Sequence, residues 1–263
     1  MTTNITVIIP VHQLQNNTLE YLKKAINSIV NQKTKPEEVL IVTANDATLI
    51  EALSTFNYES IKDITRVITN TTDSTSFQSQ INFGVENTNT EFFTFLEVDD
   101  ELSTIWLDSV SKYITAYPEV GVYLPIVFES DNTGNFLSFT NELAWWQGFT
   151  EERGVFDYNR LTSFQNLNFD GMVVRKSDFI EYGGLKSNIK LTFTYEFLLR
   201  MAYNSIKVMV VPKLGYKHTN NREGSLFESY NQTIKPLEAR FWSDSAKKEH
   251  FFKQDRKITY EVA

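Results

Sequence analysis

The 263-residue sequence predicts an α/β fold: a doubly wound, mostly parallel sheet with helices on both faces. Three observations carry this. Short β-branched runs alternate with segments of helical apolar spacing over the first hundred residues. The runs are bounded by Pro or by polar turn residues. The fourth run leads into a group of carboxylates, at the strand end where sheets of this kind place their ligands.

Ile5-Thr6-Val7-Ile8-Ile9, closed by Pro10, is the first strand. Thr18 is the expected N-cap of a helix to about Gln32, with Leu22, Ala25, Ile26, Ile29 and Val30 on one face. Pro36 breaks the chain before a second strand, Val39-Leu40-Ile41-Val42, and a short helix around Leu49 to Leu53. Arg66 to Thr69 is a third strand. Ser76 to Glu86 is helical, with Phe77, Ile81 and Val85 on one side. Phe92-Phe93-Thr94-Phe95-Leu96 is the fourth strand, expected to run on to Asp99. Beyond Asp100 the alternation loosens: a helix from Trp106 to Tyr117, strands at Gly121 to Glu129 and Phe136 to Phe139, and the pair Trp145-Trp146. A strand at Met172 to Val174 follows, then a helix to Tyr182, the turn Gly183-Gly184, and a helix from Thr194 to Tyr203. Val208 to Val211 is a strand stopped by Pro212, and Pro236 to about Lys253 is amphipathic. The expected organisation is one composite unit over residues 1–220, with residues 1–100 a nucleotide-binding half and 101–220 an acceptor half. Residues 221–263 would pack on it as a loop and helix.

Glu97-Val98-Asp99-Asp100 is the most informative stretch. If the strand reaches Asp99, alternation sets Glu97 and Asp99 on one face of its end. Carboxylates are costly to desolvate, and a cluster at the end of a core strand suits Mg²⁺ or Mn²⁺, which favour oxygen ligands and hold substrate phosphates. The competing reading is a solvated acidic turn that caps the next helix. Pro10 to His12, Thr43 to Asp46 and Glu97 to Asp100 all lie at carboxyl ends and should converge on one crevice.

Composition narrows the class. With 41% apolar and 14% aromatic residues, the chain can bury a sizeable core. No apolar stretch approaches the length of a membrane helix. The segment Met1-Thr2-Thr3-Asn4 carries no basic run or cleavage pattern, so a cytoplasmic protein is expected. Zero cysteines exclude thiol catalysis and fit a reducing compartment. A net charge of −8 disfavours nonspecific attraction to nucleic acid, although Lys213, Lys217, Arg222, Lys247 and Lys248 would allow a basic rim.

In this order and spacing, the motifs resemble the inverting family 2 glycosyltransferases of GT-A fold, over roughly residues 4 to 220. Ile5 to Gln13 is similar to their opening strand and nucleotide loop, and Gln80-Ile81-Asn82-Phe83-Gly84 to their A-x-N-x-G helix. Glu91 to Asp100 resembles the strand that carries their DxD metal site. Arg175 to Leu185, Tyr195 to Arg200 and Lys207 to Pro212 resemble the segment before the catalytic helix, that helix, and the strand after it. The resemblance implies a nucleotide-sugar donor, with UDP as the expected nucleotide, a Mn²⁺ or Mg²⁺ cofactor, and a hydroxyl acceptor. It assigns Asp99 and His218 to the metal. Pro10, His12, Asn45, Asp46, Asn82, Glu97, Asp100 and Arg222 would border the donor, with Ser225 a further phosphate contact. The competing reading of His218 is a packing histidine, and of Arg222 an ordinary polar loop.

Two departures stand out. The family's Asp-Asp-Gly-Ser after the second strand reads Thr43-Ala44-Asn45-Asp46 here. The Glu-Asp that supplies its catalytic base reads Phe193-Thr194, and Thr is no base near neutral pH. Glu196 is then the nearest carboxylate, with a structural i,i+4 pairing to Arg200 as its competing reading. Asp170, before Gly171, is the next candidate. Trp145 and Trp146 offer an acceptor platform, or core. Two alternatives to a transferase of ordinary glycans follow: a nucleotide-sugar-binding protein with impaired catalysis, and a glycosyltransferase acting on hydroxylated DNA bases. A nucleotidyltransferase is disfavoured, because Pro10 to Asn17 holds no Gly, Lys or Arg for a phosphate loop.

Overall fold

A computed structural model describes residues 3–72, 75–142, 154–163, 167–220 and 236–252. Trp145, Trp146, Arg222 and Ser225 lie outside the described residues.

The elements run in chain order as β1 (Ile5–Val11), α1 (Thr18–Val30), β2 (Glu38–Ala44), α2 (Ala47–Ser54), a 3₁₀ turn (Glu59–Ile64), β3 (Thr65–Asn70), α3 (Phe77–Glu86) and β4 (Phe92–Phe95). Then come β5 (Glu101–Leu102), α4 (Trp106–Ala116), β6 (Val120–Ser130), β7 (Phe136–Thr140), β8 (Val155–Phe156), α5 (Tyr158–Ser163), β9 (Val173–Arg175), α6 (Lys176–Glu181), α7 (Phe193–Tyr203), β10 (Lys207–Thr219) and α8 (Pro236–Glu249). Among the described residues one sheet follows the order β3-β2-β1-β4-β9-β6-β10-β5, with β7 on β6 and β8 on β10. Neighbours β3, β2, β1 and β4 pair in parallel, as do β6 and β10, while β9 runs antiparallel between β4 and β6. The six long-range parallel strands therefore point one way, and their carboxyl ends share one edge.

Strand alternation builds a core on each face. Ile5, Val7, Ile9 and Val11 of β1 pack with Leu22, Ile26 and Ile29 of α1, whereas Ile8 faces the opposite layer with Ile81 and Val85 of α3. Ser76 caps α3 by accepting from Ser79 N, as the sequence suggested for that boundary. At α1 the N-cap is Asn17 rather than Thr18, whose hydroxyl instead accepts from Gln15 N.

Two prolines do not end their strands as expected. β1 runs through Pro10 to Val11, but β4 pairs with β1 only as far as Ile8. Pro10 thus lies where one neighbour has already left, and its missing N–H breaks no ladder on that side. The gap opened there is the point where strand order reverses, between β1 and β4. β10 passes Pro212 at a register shift between Val210 and Leu214 and continues to Thr219. A bulge absorbs the proline.

Candidate active site

β4 stops at Phe95, short of the expected Asp99, and residues 97–100 form a turn closed by Asp100 N donating to Glu97 O. The turn, rather than strand alternation, separates the acids. Asp100 is fully buried; Glu97 and Asp99 are half-buried.

Why Asp100 meets His218 follows from register. β5 pairs antiparallel with β10, Leu102 opposite Tyr216 and Glu101 opposite Lys217. Continuing by one residue sets Asp100 opposite His218. Asp100 Oδ2 accepts from the Tyr216 hydroxyl at 2.9 Å and lies 3.1 Å from His218 Nδ1. Asp100 Oδ1 accepts from Thr219 N at 2.9 Å. The Tyr216 hydroxyl also accepts from Glu97 N at 3.1 Å, tying both ends of the acidic turn to β10. Asp170 joins from the segment before β9, its Oδ2 3.3 Å from His218 Nδ1. It can approach because Gly171 lies at φ +69°, and a Cβ there would stand 2.5 Å from the Tyr216 ring. Trp106 Nε1 donates to Gly171 O and fixes the same turn.

Electrostatics follow from this crowding. Burial, then Asp170, Asp100 and Asp99, push the Glu97 carboxyl well above its usual range. Burial outweighs the nearby His218 and raises Asp100 to about 6. Asp170 is raised chiefly by burial. For His218 burial works downward, but the Asp170 and Asp100 carboxylates prevail and raise it to about 11. Burial and mutual repulsion thus favour the protonated carboxyls, while the same carboxylates favour the charged His218.

One ligand atom from each of Asp100, Asp170 and His218 lies within 4.8 Å of the others, and two carboxylates with an imidazole form a donor set that could hold a metal ion. Asp99, the expected ligand, lies on the same turn but outside this group of three, and Asp170 takes part in it.

The other expected residues are placed as follows. Pro10 is buried in β1; His12, half-buried, and Asn45, exposed, stand just beyond the ends of β1 and β2. Asp46 caps α2, its Oδ1 accepting from Leu49 N at 2.8 Å. Asn82 donates to Leu185 O and accepts from Leu185 N, both at 2.8 Å, and so holds the segment after Gly183-Gly184 against α3. The Glu196 carboxylate is fully buried and bound by Arg200 and Lys186, the structural pairing that competed with a catalytic role for it. Tyr216 was not singled out from the sequence, although its i,i+2 spacing to His218 on one strand was the available signal. Glu129, at the carboxyl end of β6, was missed for the same reason as Asn168: nothing local marks their partners.

The model of Glycosyl transferase family 2 matches residues 6–182. The chain belongs to this family. That span runs from β1 through the acidic turn into the end of α6, so it covers Asp99, Asp100 and Asp170, whereas His218 lies beyond it. No curated protein matches. Among solved structures, S. aureus TarS 1-349 in complex with UDP is similar at 15% identity and a TM-score of 0.59, covering 94% of this chain and 70% of that one. TarS 1-349 in complex with UDP-GlcNAc gives 16% identity, a TM-score of 0.59 and coverage of 94% and 71%. TarS 1-349 alone gives 17% and 0.55, covering 82% of this chain, and the family 2 chain spans only 60% of its length. At such identities the likeness establishes the shared fold. No helix among the described residues is long and apolar enough to cross a membrane.

Proposed function

We propose that this chain is a metal-dependent glycosyltransferase that moves a sugar from a UDP-sugar to an acceptor hydroxyl with inversion. One observation carries the reading: in a family 2 fold, Asp100, Asp170 and His218 converge at the carboxyl edge of the sheet, beside the β1–β4 switch point. The TarS complexes with UDP and UDP-GlcNAc support a uridine nucleotide. Residues 1–100 would hold the donor, with His12, Asn45 and Asp46 near the base and Glu97 toward the sugar; residues 101–220 would hold the acceptor. Asp100, Asp170 and His218 would hold Mn²⁺ or Mg²⁺, with Asp99 beside them on the donor side. When bound, such a cation neutralises charge on the leaving diphosphate. Tyr216 and Thr219 N would hold the Asp100 carboxylate in place. A cytoplasmic location is part of this proposal.

A second reading is favoured by one specific observation. Thr194 occupies the family's base position, Glu196 is locked in a buried ion pair, and Asp170 is engaged with His218. Among the described residues no carboxylate then stands free at the start of α7, which favours a nucleotide-sugar-binding protein with impaired transfer. Titration with UDP and UDP-GlcNAc, with and without Mn²⁺, and a donor-turnover assay test both. The transferase reading expects Mn²⁺-dependent binding with turnover; tight binding with none establishes the second. A folded Asp170→Asn variant is expected to lose Mn²⁺-dependent affinity. If it keeps that affinity and loses only turnover, Asp170 is the base and not a ligand.

A further inference from the structure

We propose that Glu129 is the positioning residue that holds Asp170 in the cation site, joining the β6–β7 hairpin and the exit of β10 to that site. The inference rests on the reading of Asp170 as a cation ligand. Glu129 is 7% exposed, and among the described residues no Lys or Arg pairs with it. A buried carboxylate without a cation is costly unless hydrogen bonds occupy it. Three neutral donors from three segments do so. Asn168 Nδ2 donates to Oε1 at 2.8 Å, the Thr140 hydroxyl to the same oxygen at 3.3 Å, and Asn220 Nδ2 to Oε2 at 2.6 Å.

Asn168 passes this restraint on. Its Oδ1 accepts from Asp170 N at 2.8 Å, so the amide that Glu129 orients is the one that sets the backbone under the Asp170 carboxylate. Asn141, buried and at φ +71°, fixes the same residue from its other side: it accepts from Asn168 N at 2.8 Å and donates to Asn168 O at 2.7 Å. With Nδ2, Oδ1, N and O all engaged, Asn168 has one orientation available. Asp170 lies at the end of this chain of contacts, 3.3 Å from His218. Residues that orient metal ligands from behind typically change affinity or activity by about 10–100-fold when removed. Phe136 to Phe139 of β7 are exposed, and Thr140 at its end is the half-buried residue that reaches Glu129.

The test is a Mn²⁺ titration of the full chain followed by electron paramagnetic resonance, with thermal unfolding in parallel. Glu129→Ala is expected to weaken Mn²⁺ binding by roughly 10–100-fold. Glu129→Gln, which keeps a carbonyl oxygen for Asn168, should restore most of the affinity. Glu129→Ala with Asp170→Asn should bind no more weakly than Asp170→Asn alone, because Glu129 acts through Asp170. Additive losses, or unchanged affinity in folded Glu129→Ala while Asp170→Asn is impaired, overturn the positioning role alone. Unchanged affinity in Asp170→Asn, or a wild type that takes up no Mn²⁺, overturns the cation-site reading itself. If Glu129→Ala does not fold, Asn168→Ala breaks the same link from its other end and carries the same expectations.

Discussion

Glu196 Oε2 lies 2.9 Å from Arg200 Nη2 and its Oε1 3.1 Å from Lys186 Nζ, with none of the three side chains more than 5% exposed. Arg200 also donates to Gly184 O at 2.6 Å and to Tyr182 O, and Lys186 to Glu249 O. The group therefore ties α7 to the glycine turn before it and to the end of α8. Removing one partner of a buried ion pair leaves the remaining charge uncompensated, at a cost of about 3–5 kcal/mol. Glu196→Gln is accordingly expected to destabilise the fold by about that amount in denaturant unfolding. Wild-type stability combined with lost turnover would return Glu196 to the chemistry. Its i,i+4 partner Arg200 was legible in the sequence. Lys186, ten residues earlier in the chain and outside the helix, was not, because only folding brings it under α7.

At the scale of elements, the acidic turn depends on two short pairings. β5 contributes only Glu101 and Leu102, yet its register on β10 decides that Asp100, not Asp99, meets His218. The expectation of a strand through Asp99 failed: the β1–β4 ladder ends at Ile8 and Phe95 although β1 continues to Val11, and residues 97–100 turn instead of pairing. α2 offers a separate test. Asp46 is both its N-cap and an expected neighbour of the nucleotide base. Asp46→Ala should cost about 1 kcal/mol, whereas Asp46→Asn should keep the cap and lose little. Urea unfolding of the two variants measures the difference; equal losses would mean the capping bond contributes nothing. UDP affinity of the stable Asn variant then reports any contact between the carboxylate and the nucleotide.

For the whole molecule, the proposed function makes protons and a cation competitors for one cluster. Cation uptake needs ionised Asp100 and Asp170 and a neutral His218 imidazole, so Mn²⁺ affinity should rise with pH through and above about 6. The cation-free protein should show the opposite trend in stability. The raised value of His218 contributes in full below its unfolded value of about 6.5, and that contribution is lost as pH rises toward about 11. Burial likewise penalises ionised Asp100, so its contribution is present below the unfolded carboxyl value and is lost as pH rises through about 6. The gap between melting temperatures with and without Mn²⁺ should thus widen from acidic to alkaline pH. Differential scanning fluorimetry across that range checks it, and a constant gap would argue that these groups do not face the cation.

Much of the molecule was determined by local sequence. The β-α alternation, the two-faced core and the family were legible because strand and helix periodicities are properties of neighbouring residues, and Ile8 facing away from Ile9 needs nothing more. The acid-bearing segment was legible too, as a polar run after an apolar one. Which acids meet was not. Asp100, Asp170 and His218 are separated by 70 and 48 positions, and their convergence rests on the β5–β10 register, the bulge past Pro212 and the room left by Gly171. The same holds for Glu129, whose partners come from β7, the segment before β9 and the end of β10. Long-range register decides such contacts, and a one-residue slip would present different side chains, so only the tertiary structure selects among carboxylates that the sequence leaves equivalent.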